Sequence, residues 1–118
     1  MIKNYKELEV WQVSRELVKR VYLLTKRLPR NEQYGLTSQM CRAAVSIPSN
    51  IAEGHSRNST KEYIQFLAIS RSSSCELETQ CLLCVDVGYL SDTDIEDCLC
   101  LVARIGQMIN ALIKKLDT

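Results

Sequence analysis

Proline occurs only twice and glycine four times among the 118 residues, with one phenylalanine and one histidine. Residues that punctuate structure are therefore scarce, which excludes a disordered chain and leaves an ordered, helix-leaning one. No uncharged run approaches the roughly 18 residues needed to span a bilayer. The amino-terminal stretch MIKNYKELEVW carries charges where a signal peptide needs an unbroken apolar region. The expectation is a cytoplasmic protein. Histidine is limited to His55, on a polar linker, so a Cys–His or Ser–His nucleophile pair would need it to reach back to Cys41 or to a serine of the third helix. Enzymatic activity is not expected.

Cysteine is the exception to this scarcity. Six are present: Cys41, Cys75, Cys81, Cys84, Cys98 and Cys100. In a reducing compartment they are expected to be thiols. Cys81 and Cys84 have a CxxC spacing that could be joined by Cys98 or Cys100 around zinc, but all four lie inside apolar helical patterns and not on knuckle turns. They read as buried small hydrophobes, and neither metal nor cofactor is expected.

The net charge of +1 hides an asymmetry. Residues 1–60 hold ten Lys and Arg against five Glu, and residues 61–118 hold five against nine acids. Such a division marks an anion-binding face or helices that attract one another across a bundle surface.

Apolar residues recur at Val10, Leu17, Val21, Leu24 and Leu28, with a second line at Trp11, Val18 and Tyr22. This spacing predicts an amphipathic helix from Tyr5 to Leu28, stopped by Pro29. A second helix is expected to open near Glu32 or Tyr34 and to end at Gly54 as a C-terminal cap, either kinked at Pro48, where a missing N–H and a ring clash break the ladder, or re-initiated there with Ser46 or Ser49 as a cap, the kink being favoured because Asn50-Ile-Ala-Glu53 is helix-compatible. Ser59 with Glu62 forms a capping signature for a third helix running to Gly88. That helix carries a serine run, Ser70 and Ser72 to Ser74, which lowers helix propensity and is expected to be compensated by tight packing against the Pro48 bend. Ser91 with Asp94 caps a fourth helix. On it, Ile95, Leu99, Val102, Gly106, Ile109, Ile113 and Leu116 form one seam, and Cys98, Leu101, Ile105, Met108 and Leu112 a second. The fold expected is all-α: a single domain over 1–118, built as an antiparallel up-down-up-down four-helix bundle. Double seams on the first and fourth helices exceed the needs of one core, so a homo-oligomer is expected.

Several stretches carry a family resemblance. These are Leu8-Glu-Val-Trp11, Leu28-Pro29, Glu32-Gln-Tyr-Gly-Leu36, Gln39, Arg42-Ala-Ala-Val-Ser-Ile-Pro-Ser-Asn-Ile-Ala-Glu-Gly54, Phe66-Leu67, Glu76-Leu-Glu-Thr-Gln80 and Gly88-Tyr89-Leu90. Through them the sequence resembles, over nearly its whole length, the four-helix-bundle proteins encoded in intervening sequences of bacterial 23S ribosomal RNA genes, also called S23 ribosomal proteins. Ser72 departs from the pattern, which commonly has Gly there. The resemblance implies a bacterial, cytosolic bundle without known enzymatic activity that assembles as a ring, a homopentamer. The family is also similar to the accessory variability determinant proteins of diversity-generating retroelements, which implies nucleic acid, RNA or DNA, and a reverse transcriptase as partners.

For nucleic acid, the candidate residues are Arg15, Lys19, Arg20, Lys26, Arg27 and Arg30 on or just after the first helix, with Arg57 in the linker. Phosphates need several cations along one face, and a ring would multiply that face. The same residues also suit a solvated helix face without stacking aromatics, which leaves a structural or protein-interaction ring as the alternative. Arg42, Asn50, Glu53, Ser73 and Glu76 have the make-up of an acid/base cluster with Arg42 holding the two carboxylates, but are expected to form a structural polar network that fixes helix register.

Overall fold

The structure, a computed structural model, describes residues 3–118. Four long helices account for most of them: α1 (Glu9–Thr25), α2 (Leu36–His55), α3 (Thr60–Asp86) and α4 (Asp92–Leu116). No strand occurs among the described residues. α2 and α4 each lie against both α1 and α3, whereas the diagonal pairs, α1 with α3 and α2 with α4, bring no Cα atoms within 8 Å of each other. The helices therefore surround one core, in which Leu17, Val21, Met40, Ile47, Ile51, Leu67, Leu77, Ile105 and Ile109 are fully buried.

Partners across each seam follow opposite residue order. Between α2 and α3, Ile47 meets Ser70, Ser46 meets Ser73 and Met40 meets Cys84. Between α1 and α4, Arg27 meets Asp94, Arg20 meets Asp97 and Glu9 meets Arg104.

The first helix is shorter than its periodicity predicts. Asn4 and Glu7 form a capping box around a 3-10 turn at Tyr5–Glu7, after which Leu8 is extended and buried, so α1 starts only at Glu9. α2 likewise opens late. A 3-10 turn over Arg30–Glu32 precedes it, and Glu32 caps it from a distance, its Oε1 accepting the Leu36 N–H at 3.1 Å.

Gly54 is not a cap either. It lies inside α2, which runs on to His55, and it is buried against α3: a Cβ built there would stand 2.8 Å from the Phe66 Cβ and 3.1 Å from the Tyr63 Cδ1. The left-handed glycine is Gly88, at φ 85° in the turn between α3 and α4.

α2 continues through Pro48, with Ala44, Ile47 and Ile51 fully buried around it. Tertiary packing of this kind outweighs the local penalty of a helical proline. Ser59 caps α3 by accepting the Glu62 N–H, and Ser91 with Asp94 completes a capping box on α4. The line that α4 buries is Ile95, Cys98, Val102, Ile105 and Ile109, which crosses between the two seams read from sequence and leaves Leu99, Leu101, Met108 and Leu112 half-buried beside it.

Candidate interaction surface

The polar residues of α2 and α3 meet at their own crossing. Ser70 Oγ, buried, donates to the Ile47 carbonyl oxygen at 2.8 Å, immediately before Pro48. Ser46 and Ser73 share a hydroxyl hydrogen bond of 2.8 Å, and Asn50 Nδ2 donates to both the Ser46 carbonyl (2.8 Å) and its hydroxyl (2.9 Å). Ser74, also buried, turns back to the Arg71 carbonyl of its own helix. The serine run thus carries hydrogen bonds across to α2 where proline leaves that helix weakest, which offsets its low helix propensity.

The expected polar network is only partly assembled. Asn50 and Ser73 belong to it through Ser46, a residue the sequence reading missed. Glu53 does not: it is exposed and accepts from Arg57 at 3.2 Å, one turn away on the same face. Arg42 and Glu76 are exposed and flank a surface groove of about 540 Å3 that Ser46 and Ser73 also line. Arg42 therefore holds neither carboxylate in an ion pair.

The basic candidates on and around α1, with Arg57, divide into paired and unpaired sets. Arg20 reaches Glu16 and Asp97, each at 3.0 Å, and Arg27 reaches Asp94 at 2.7 Å. The carboxylate of Asp94 is held below its ordinary range, first by the Ser91 backbone N–H and then by the Arg27 guanidinium. Arg57 pairs with Glu53 and stacks 4.8 Å from the Phe66 ring. Arg15 lies over Trp11 at 5.0 Å. Lys19, Lys26 and Arg30 are exposed and make no ion pair among the described residues. The acidic first turns of α4 therefore neutralise part of the face that the sequence offers to phosphates.

The surplus apolar surface matches the double seam on α1, where Tyr22 is exposed, but not the one on α4. On α4 the second seam is half-buried or buried, and the exposed large apolar side chains are Tyr22, Leu23, Tyr34, Val45, Ile69, Leu82, Leu83 and Val87. Tyr22, Tyr34 and Val45 line grooves along the outer side of α2, and Ile69 lines one on α3. Cys100 is exposed and so is not the buried residue its apolar context predicts; Cys75 is exposed as well. Cys81, Cys84 and Cys98 are buried as expected, and burial pushes the Cys81 thiol up to about 12. His55 packs edge-on against Tyr63, while Cys41 Sγ lies 3.7 Å from Thr25 Oγ1. At the helical rise, His55 and Cys41 are roughly 21 Å apart along α2, too far for a nucleophile pair.

At the end of the molecule that holds the α1–α2 and α3–α4 connections, Tyr89 donates its hydroxyl to Glu32 Oε2 at 2.8 Å. The Glu32 carboxylate is held below its ordinary range, first by the Leu36 N–H and then by Tyr89.

The sequence profile of the 23S rRNA-intervening sequence proteins matches residues 6–111. The chain belongs to that family. A crystal structure of a protein of unknown function from the S23 ribosomal protein family, from Bacteroides thetaiotaomicron, is similar to it at 27% identity, with a TM-score of 0.81 over 89% of this chain and 98% of that one. No curated protein matches the chain. The matched span of the 23S rRNA-intervening sequence family includes all of α1, α2 and α3 and most of α4, so both the Pro48 crossing and the grooves beside α2 fall within it.

Proposed function

We propose that this protein is a non-enzymatic scaffold of the cytoplasm whose working form is an assembly of its own copies. In this reading the helices form an up-down-up-down antiparallel bundle bent at Pro48, and the assembled form is a ring, a homopentamer as the family resemblance implies. One observation carries the reading: large apolar side chains stand in water on three helices, Tyr22 of α1 at 47%, Val45 of α2 at 40% and Ile69 of α3 at 48% exposure, with Tyr22 and Val45 lining one groove. The exposed Leu and Val of α3 extend the same surplus.

A second reading, binding of RNA or DNA, is favoured by Lys19, Lys26 and Arg30, which have no carboxylate partner among the described residues. Pairing of Arg20 and Arg27 with α4 leaves it the weaker of the two. Under that reading a reverse transcriptase is the kind of protein partner the family resemblance implies.

Light scattering on the purified protein tests both. A multiple of the chain mass that is unchanged by structured RNA or duplex DNA is expected. Added mass at low salt that disappears at physiological salt would move the assignment to nucleic acid, since phosphate contacts weaken steeply with ionic strength. A monomer under all conditions would overturn the scaffold.

A further inference from the structure

Two apolar patches of opposite charge occupy unlike parts of the surface. The first is a groove of about 420 Å3 between α1 and α2, with Val18, Tyr22, Val45 and Pro48 as its apolar lining and Arg15 and Lys19 as its charged one. A contiguous groove shares Tyr22 and Val45 and adds Arg42. None of these three cations has a carboxylate within ion-pair distance among the described residues. The second patch covers the last turns of α3, where Leu82, Leu83 and Val87 are 45%, 43% and 58% exposed. Glu78 and Asp86 flank it, both exposed and both without a basic partner in the same set.

The charges decide how such patches pair. Two grooves placed face to face would bring Arg15, Lys19 and Arg42 against their own copies, and two α3 ends would do the same with Glu78 and Asp86. Like charges brought together while apolar surface is desolvated oppose association, whereas the unlike patches complement each other. The groove lies between α1 and α2 and the second patch at the C-terminal end of α3, and they share no residue. A chain with complementary patches on separate elements makes a head-to-tail contact, which leaves one patch of each kind free until rotation closes the set.

We infer that the basic apolar groove between α1 and α2 receives the acidic, leucine-bearing end of α3 from a second copy of this chain. This inference rests on the self-association proposed above and specifies its contact. Tyr22 and Val45 pack against Leu83 and Val87, with Arg15 and Lys19 facing Glu78 and Asp86 at the margin.

Charge reversal tests it. One variant carries Arg15→Glu and Lys19→Glu, and the other carries Glu78→Lys and Asp86→Lys. All four side chains are exposed, and helical circular dichroism and a cooperative melt verify that each variant folds. Each variant alone is expected to lose the assembled mass and run as monomer. A third variant carrying all four reversals is expected to recover it, because reversed groove then meets reversed α3 end at every contact, whatever the number of copies. An assembled mass unchanged in either two-site variant, or a four-site variant that folds but stays monomeric, overturns the head-to-tail contact. If the unmodified protein is itself a monomer, the self-association reading fails as well. If it is assembled and ignores both variants, only this contact fails.

Discussion

Gly54 and Gly106 are both helical glycines with opposite surroundings. At Gly54 a methyl group would enter the space of the Phe66 Cβ, part of a buried crossing that cannot rotate away, so Gly54→Ala is expected to destabilise by about 1–3 kcal/mol despite its better helix propensity. At Gly106 nothing lies within 4 Å of the added carbon. There the propensity gain acts alone, and Gly106→Ala is expected to stabilise by about 0.5–1 kcal/mol, with both read from denaturant midpoints. The thiols separate in the same way. Cys75 and Cys100 are exposed and should react first with a thiol reagent at neutral pH, Cys41 more slowly, and Cys81, Cys84 and Cys98 only on unfolding. Mass mapping of partly labelled protein checks the order, and early labelling of Cys81 would contradict the burial that holds its thiol up. The division between Cys98 and Cys100 was not legible in the sequence, because two residues along a helix are turned by more than half a circle while the apolar context around them is the same.

Helix elements were largely legible, since 3.6-residue periodicity and the Ser59 and Ser91 caps are local signals. Interactions between elements were not. Arg20 with Asp97, Arg27 with Asp94 and Arg104 with Glu9 join positions 77, 67 and 95 residues apart, so no spacing rule along the chain pairs them. Tight packing of the serine run against the Pro48 bend was expected, but the hydrogen bond from the Ser70 hydroxyl to the Ile47 carbonyl becomes visible only with α2 and α3 in contact. Ser70→Ala is expected to cost about 0.5–1.5 kcal/mol for the lost hydrogen bond, and Ser70→Val more, because an added methyl enters a fully buried site. Equal midpoints for the two variants would refute tight packing there. The Glu32 contact acts between connections. Its carboxylate titrates lower in the folded chain than in the unfolded one, so its stabilisation is full above the ordinary carboxylate range near pH 4 and is lost as pH falls through the folded value. Asp94 acts with the same sign. Glu32→Gln is therefore expected to flatten the fall in melting temperature below about pH 4. A slope identical to that of the unmodified protein would exclude Glu32 as a contributor.

For the whole molecule, assembly has a thermodynamic signature separate from its mass. If copies bind one another only when folded, the melting temperature rises with protein concentration. A concentration-independent melt would mean that the contacts add no stability to the fold. The family was legible in the sequence because its Ser-Ile-Pro-Ser-Asn-Ile-Ala-Glu-Gly stretch is both specific and structural: it supplies Ser46, Ile47, Pro48, Asn50 and Gly54 to one crossing. The placement of surplus apolar surface was only partly legible, because periodicity alone marks a second seam without telling whether a neighbouring helix covers it, as on α4, or water does, as at Tyr22 of α1.

That crossing also ranks the parts of the chain by how reluctantly they open. α2 and α3 are joined by a short connection, hydroxyl bonds and a glycine contact, whereas the side-chain bonds between α1 and α4 are ion pairs at their exposed margin. Amide protons around Ile47 to Ile51 and Leu67 to Leu77 should then exchange with deuterium only through global unfolding, while those of α1 and α4 exchange through smaller openings. The helical hairpin of α2 and α3 is in this sense the kinetic keel of the protein, on which the other two helices are carried.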